Sequence, residues 1–100
     1  MLEVRLTSAA RHDLGTIWSY VADKSVSAAE RLLEGAGRRF ELLARNPELG
    51  EIRKTVNGLE SRWFSFQQYA IYDQATDDGL IVLRVLHGAR DQEATLIIDD

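Results

Sequence analysis

LIVLRVLHGARD, residues 80–91, is the stretch on which the reading of this chain turns. Leu80 to Leu86 form a run of apolar, β-favouring residues interrupted only by Arg84, too short for a core helix and apolar on both faces, as a central strand covered on one side by helices would be. By strict two-residue alternation His87 shares a face with Ile81, Leu83 and Val85, so its imidazole is predicted to point to the core side at the strand end. Arg84 falls on the other face, between Val82 and Leu86. A cation there requires solvent or a carboxylate.

Working outward, Asp77, Asp78 and Gly79 make a hairpin turn into this strand. "YAIYD" (69–73) and the alternating aromatic "SRWFSF" (61–66) read as two further strands, preceded by "GEIRKTVNG" (50–58), which reads as a loop. Towards the N-terminus the pattern becomes helical. Ala10, Leu14, Ile17, Trp18 and Val21 form one stripe after an N-cap at Ser8, and Ala29, Leu32, Leu33, Ala36, Phe40, Leu43 and Ala44 form another after a capping box from Ser27 to Glu30. Pro47 ends the second helix, with Asn46 before it pushed out of helical geometry. The chain opens on "LEVRLT" (2–7), whose alternation marks a half-buried strand. The order strand, helix, helix, three strands predicts an α+β domain over residues 1–100, a helical hairpin packed on a small, mainly antiparallel sheet. The tail after Asp91 fits a short helix or an added strand equally.

One hundred residues, 45% of them hydrophobic, suit one globular domain. The chain has no cysteine, which excludes disulfides and thiolate chemistry and suits a reducing cytoplasm. No stretch approaches the length of a membrane span and the N-terminus has no leader pattern, so a cytoplasmic protein without membrane contact is expected. The net charge of −4 arises in the second half: residues 1–50 carry seven basic and seven acidic side chains, residues 51–100 five and nine. A protein held to nucleic acid by phosphates normally carries a basic excess, so stand-alone nucleic-acid binding is not expected.

Few residues carry chemistry. His87 has the side chain for general acid–base work, but no second member of a catalytic set lies near it, and a structural imidazole is the preferred reading. On that reading His87→Gln is tolerated. His12 falls on the polar side of the first helix and reads as solvated. Arg62, Arg84 and Arg90 have two readings that the sequence leaves open: three guanidinium groups converging on an anion, or ion pairs with Asp73, Asp91 or Glu93. Trp63, Phe64 and Phe66 are predicted to face the helical hairpin as core, with Trp63 the most exposed of them. No phosphate loop, zinc spacing, nucleophile motif or acidic metal cluster occurs, so neither metal nor cofactor is expected.

Taken together, "LTSAARHDLGTIWSYVAD" (6–23), "RRFELLARNPELGEIR" (38–53), "NGLESRWF" (57–64), "YAIYD" and above all "RVLHGARD" (84–91) resemble the ParE branch of the ParE/RelE toxins of bacterial type II toxin-antitoxin systems. The resemblance covers nearly the whole chain and implies the fold just derived, with a curved sheet. It implies a non-enzymatic toxin that traps DNA gyrase on cut DNA and stabilises plasmids, and that a ParD-type antitoxin neutralises in a hetero-oligomer. Partner contacts are then expected at Arg62, Trp63, Tyr69, Arg84 and Arg90. The sequence departs from the usual pattern at Glu60, where many relatives carry arginine, and at Gln67 and Gln68, where glycine or a basic residue is more usual. The alternatives are a RelE-type ribosome-dependent messenger-RNA endonuclease, for which Arg84, His87 and Arg90 stand in the right region, and a degenerate toxin that retains only antitoxin binding.

Overall fold

The computed structural model describes residues 2–56 and 59–87. Its elements run β1 (Glu3–Leu6), α1 (Ser8–Ala22), α2 (Val26–Arg45), β2 (Glu51–Val56), β3 (Leu59–Phe66), β4 (Tyr69–Thr76) and β5 (Gly79–His87). The five strands make one mixed sheet in the order β1-β5-β4-β3-β2, antiparallel except for β1, which lies parallel to β5. The segment 51–56, read above as loop, is therefore a strand paired with β3, with a bulge between Ile52 and Lys54. Its alternation is masked by Arg53 and Lys54, and an edge strand needs only one paired side.

Both helices start earlier than the sequence reading placed them. Thr7, not Ser8, caps α1, its Oγ1 accepting from the Ala10 N–H at 3.0 Å. Ser25, ahead of the Ser27–Glu30 box, caps α2 by accepting from Ala28 N–H at 3.2 Å. The end of α2 is as read: Asn46 caps it, and its side-chain amide donates to the Leu42 carbonyl. Close packing of α2 on the sheet depends on Gly35, where a Cβ would come within 3.2 Å of the Phe66 ring.

The helices cover one face of the sheet, and the main core lies between them: Ala10, Ala36, Phe40, Leu43 and Ala44 meet Phe66, Tyr69, Ile71, Leu80, Val82 and Val85. Leu33 departs from its predicted stripe and is exposed on α2. On the opposite sheet face Ala70, Tyr72, Leu83 and Leu86 form a second buried cluster, with Trp63 and Ile81 against it. Trp63 is thus half-buried on the face away from the helical hairpin, contrary to the expectation, while Phe64 and Phe66 are on the helix side as expected.

A bulge in β5 explains why strict alternation failed there. Tyr72 pairs with Arg84 but Asp73 pairs with Val82, so Leu83 is the additional residue. An extra residue reverses the facing of all that follow. Val82 and Val85 consequently share the helix side while Leu83 turns away, and the predicted common face of Ile81, Leu83 and Val85 does not exist. At the other end of β5, Gly79 allows β1 to approach: a Cβ there would collide with the Glu3 carbonyl, and Glu3 N–H donates to Asp78 O at 2.7 Å.

Candidate functional site

The mismatch in length between β1 and β5 shapes the site. β1 pairs with β5 only from Gly79 to Val82, leaving the remainder of β5 without a strand on that side among the described residues. The first turns of α1 take over. Thr7 N–H donates to the Val82 carbonyl at 3.0 Å, Thr7 Oγ1 donates to Leu83 O at 2.7 Å, and the Asp13 carboxylate accepts from Val85 N–H at 2.9 Å. Buried main-chain groups must find partners, and helix side chains supply them here in place of a strand.

Asp13 also receives Arg84 as a two-pronged ion pair, with Nε donating to Oδ2 at 2.8 Å and Nη2 to Oδ1 at 2.9 Å. The two side chains are only 10% and 15% exposed, so the pair is well screened from water. A forked arginine–carboxylate contact of this kind fixes orientation as well as charge. Arg84 therefore has a carboxylate partner, as its place in the strand demanded, and this one stands on α1; Asp91 and Glu93 lie outside the described residues.

Beyond this clamp α1 and the ends of β4 and β5 diverge around a pocket of about 500 Å³. α1 contributes His12, Asp13, Thr16, Ile17 and Tyr20, and the sheet contributes Gln68, Tyr69 and the segment from Arg84 to His87. Tyr69 and His87 pair across the two strands, their rings edge to face with centroids 5.9 Å apart. Gln68 Nε2 donates to the Tyr69 hydroxyl at 3.3 Å. Tyr20 is 66% exposed, with Lys24 Nζ lying 5.5 Å from its ring centre. Two imidazoles, two phenols and an amide thus face one opening, equipped to hydrogen-bond a polar ligand around an aromatic wall.

The structure brings together three of the residues singled out from sequence, Tyr69, Arg84 and His87, and adds His12, which is exposed yet borders the same opening. Arg62 stands elsewhere. Its Nη1 donates to the Gly50 carbonyl at 2.7 Å and more weakly to Glu48 O at 3.4 Å, and Nη2 lies 3.6 Å from Glu60. It braces the loop between α2 and β2 and lies opposite Asp73 in the sheet. Arg62 and Arg84 are thus turned to different partners, and Arg90 lies outside the described residues, as do the strand-end residues Gly88 and Asp91. Asp13, Thr16 and Tyr20 escaped sequence reading, and Gln68 entered it only as a departure from the family pattern. For Asp13 a signal existed, because a strand arginine with apolar neighbours demands a carboxylate.

Asp73 is fully buried, and burial pushes its pKa up to about 7 from the usual 3.8, with Arg62 pulling the other way. Its Oδ2 and the Ser61 hydroxyl, also fully buried, have no hydrogen-bond partner among the described residues. No three metal-ligating side chains converge among the described residues, and no helix there is long and apolar enough to cross a membrane.

The sequence model of the family described as the ParE toxin of the type II toxin-antitoxin system parDE matches residues 4–92. No curated protein matches the chain. Among solved structures, the chromosomal ParDE toxin-antitoxin system from P. aeruginosa contains a chain with the same fold: TM-score 0.64 and 18% identity, over 87% of this chain and 96% of that one.

Proposed function

The chain belongs to the ParE toxin family of type II toxin-antitoxin systems, and from that premise we propose that it poisons DNA gyrase in the bacterial cytoplasm and is neutralised by a ParD-type antitoxin. The family match across residues 4–92 carries this reading. The site geometry supports a non-enzymatic toxin. Arg84, which lines the same pocket as the two histidines, has its fork on Asp13, whereas cleavage of a phosphodiester calls for cationic groups directed at the developing charge. The ribosome-dependent endonuclease draws support from His12 and His87 bordering one pocket. It needs a basic docking surface, and a net charge of −4 disfavours that.

The test is a DNA cleavage assay with purified protein, gyrase from the same bacterium, supercoiled plasmid and ATP, quenched with detergent and protease. Linear DNA is expected only when both proteins are present. Absence of linear product together with cleavage of messenger RNA on added ribosomes would overturn the gyrase reading in favour of the endonuclease. Neither activity from folded protein that still binds its antitoxin would mark a toxin that has kept only antitoxin binding.

A further inference from the structure

We propose that the pocket between α1 and the ends of β4 and β5 binds the unpaired base of a purine nucleoside, with Gln68 reading its hydrogen-bonding edge and Tyr20 stacking on its face. Binding of this kind requires neither gyrase nor an antitoxin.

Phe66 pairs with Tyr69, so β3 and β4 are joined by the two-residue turn Gln67–Gln68. Gln67 stands at φ 55°, in the left-handed region that such turns usually give to glycine or asparagine. Strain held in a turn beside a pocket points to a role for the side chains it places. Here it sets Gln68 at the opening, where Nε2 donates to the Tyr69 hydroxyl at 3.3 Å. That contact uses one of the two N–H groups of the amide; the other, with the carbonyl oxygen, presents a donor beside an acceptor. A side-chain amide is the group that pairs with the donor–acceptor edge of a purine, as glutamine does with N6 and N7 of adenine.

The walls suit a planar ring. Tyr20 is exposed on α1, and across the opening Tyr69 and His87 hold one another edge to face. Exposed aromatic side chains of this kind are the surfaces on which unpaired bases stack. The volume of about 500 Å³ admits a two-ring base with its sugar and lies within the range of small-ligand pockets. The exposed Thr16 lines it with a hydroxyl that can meet a sugar hydroxyl. Charge selects the nucleoside over its phosphates: the carboxylate and the guanidinium that line the pocket, Asp13 and Arg84, neutralise each other through their fork. An anionic ligand therefore gains little there, whereas a neutral heteroaromatic one loses nothing.

The test is titration of adenosine into the labelled full chain, followed by amide chemical shifts. Saturable binding with a Kd below about 1 mM is expected, ordinary for so small a ligand, with the largest shifts at Thr16, Tyr20, Gln68 and His87. Gln68→Leu keeps the bulk and removes the amide, and Tyr20→Ala removes the stacking face. Both positions are exposed, so the core is undisturbed, and each change is expected to weaken binding by about tenfold. Leu33→Ala, on the exposed face of α2, is expected to leave it unchanged. A short single strand of deoxyadenosine distinguishes the source of the base: much tighter binding than adenosine, at the same residues, assigns the site to a base carried on a strand. Adenosine monophosphate binding far more tightly than adenosine would overturn the neutral ligand. No saturable shift from adenosine or the strand, shifts confined to other surfaces, or unchanged affinity in both Gln68→Leu and Tyr20→Ala would overturn the site.

Discussion

Asp73 shows how one residue can set the conditions under which a small fold is stable. A carboxyl at 1% exposure, with one oxygen lacking a hydrogen bond, is costly when charged, and Arg62 opposite it offsets only part of that cost. Because the folded state holds the proton more tightly than the unfolded chain does, the penalty is absent below about pH 4. It grows as pH rises to about 7, where the folded-state pKa lies, and is constant above that. Asp73→Asn is therefore expected to raise stability at pH 8 by roughly 2–4 kcal/mol and to leave it nearly unchanged at pH 4. Urea unfolding at the two pH values checks this; a variant less stable than the parent at pH 8 would show that the charged form has a function in the native state.

At the level of elements, α1 acts partly as a strand. Its cap residue Thr7 and its second-turn residue Asp13 bond the main chain of β5 at Val82, Leu83 and Val85, and the Arg84 fork locks the two elements in register. Removing one partner of a buried pair leaves the other charge uncompensated, whereas removing both does not. Asp13→Asn is expected to cost about 2–4 kcal/mol, and the double variant Asp13→Asn with Arg84→Met less than the sum of the two single changes. A double-mutant cycle by chemical denaturation measures the coupling. Additive costs would mean that Asp13 acts through Val85 N–H alone. The bulge at Leu83 belongs to this level too, because it reverses the facing of the last strand residues and so places Val85 on the helix side.

At the level of the molecule, the sheet has two buried faces of different kinds, one under the helices and one around Tyr72 and Trp63. The surface is acidic on balance, with 16 carboxylates against 12 lysines and arginines. The arginines at the centre of the fold, Arg62 and Arg84, are bound to protein groups, and the acidic balance of the chain disfavours displacing counterions from a duplex. The isolated protein is expected to leave a short DNA duplex unshifted in a gel assay at about 150 mM salt. A shift that weakens steeply with added salt would reveal a basic patch that net charge conceals.

Much of this was legible in the chain. The helix stripes, the stop at Asn46–Pro47, the Asp77–Gly79 turn and the alternation in 2–7 and 61–73 follow from local periodicity and backbone geometry, so the α+β class and the family resemblance could be read directly. The strand at 51–56 was missed because an edge strand pairs on one side only and its charged residues hide the period. The Arg84–Asp13 clamp joins residues 71 positions apart. Its sequence signature was a demand for some carboxylate, which several residues could meet, and only the packing of α1 against β5 selected one. The pocket, likewise, is a property of where β1 stops relative to β5. No single segment encodes that; it exists only once both strands and α1 share one sheet edge.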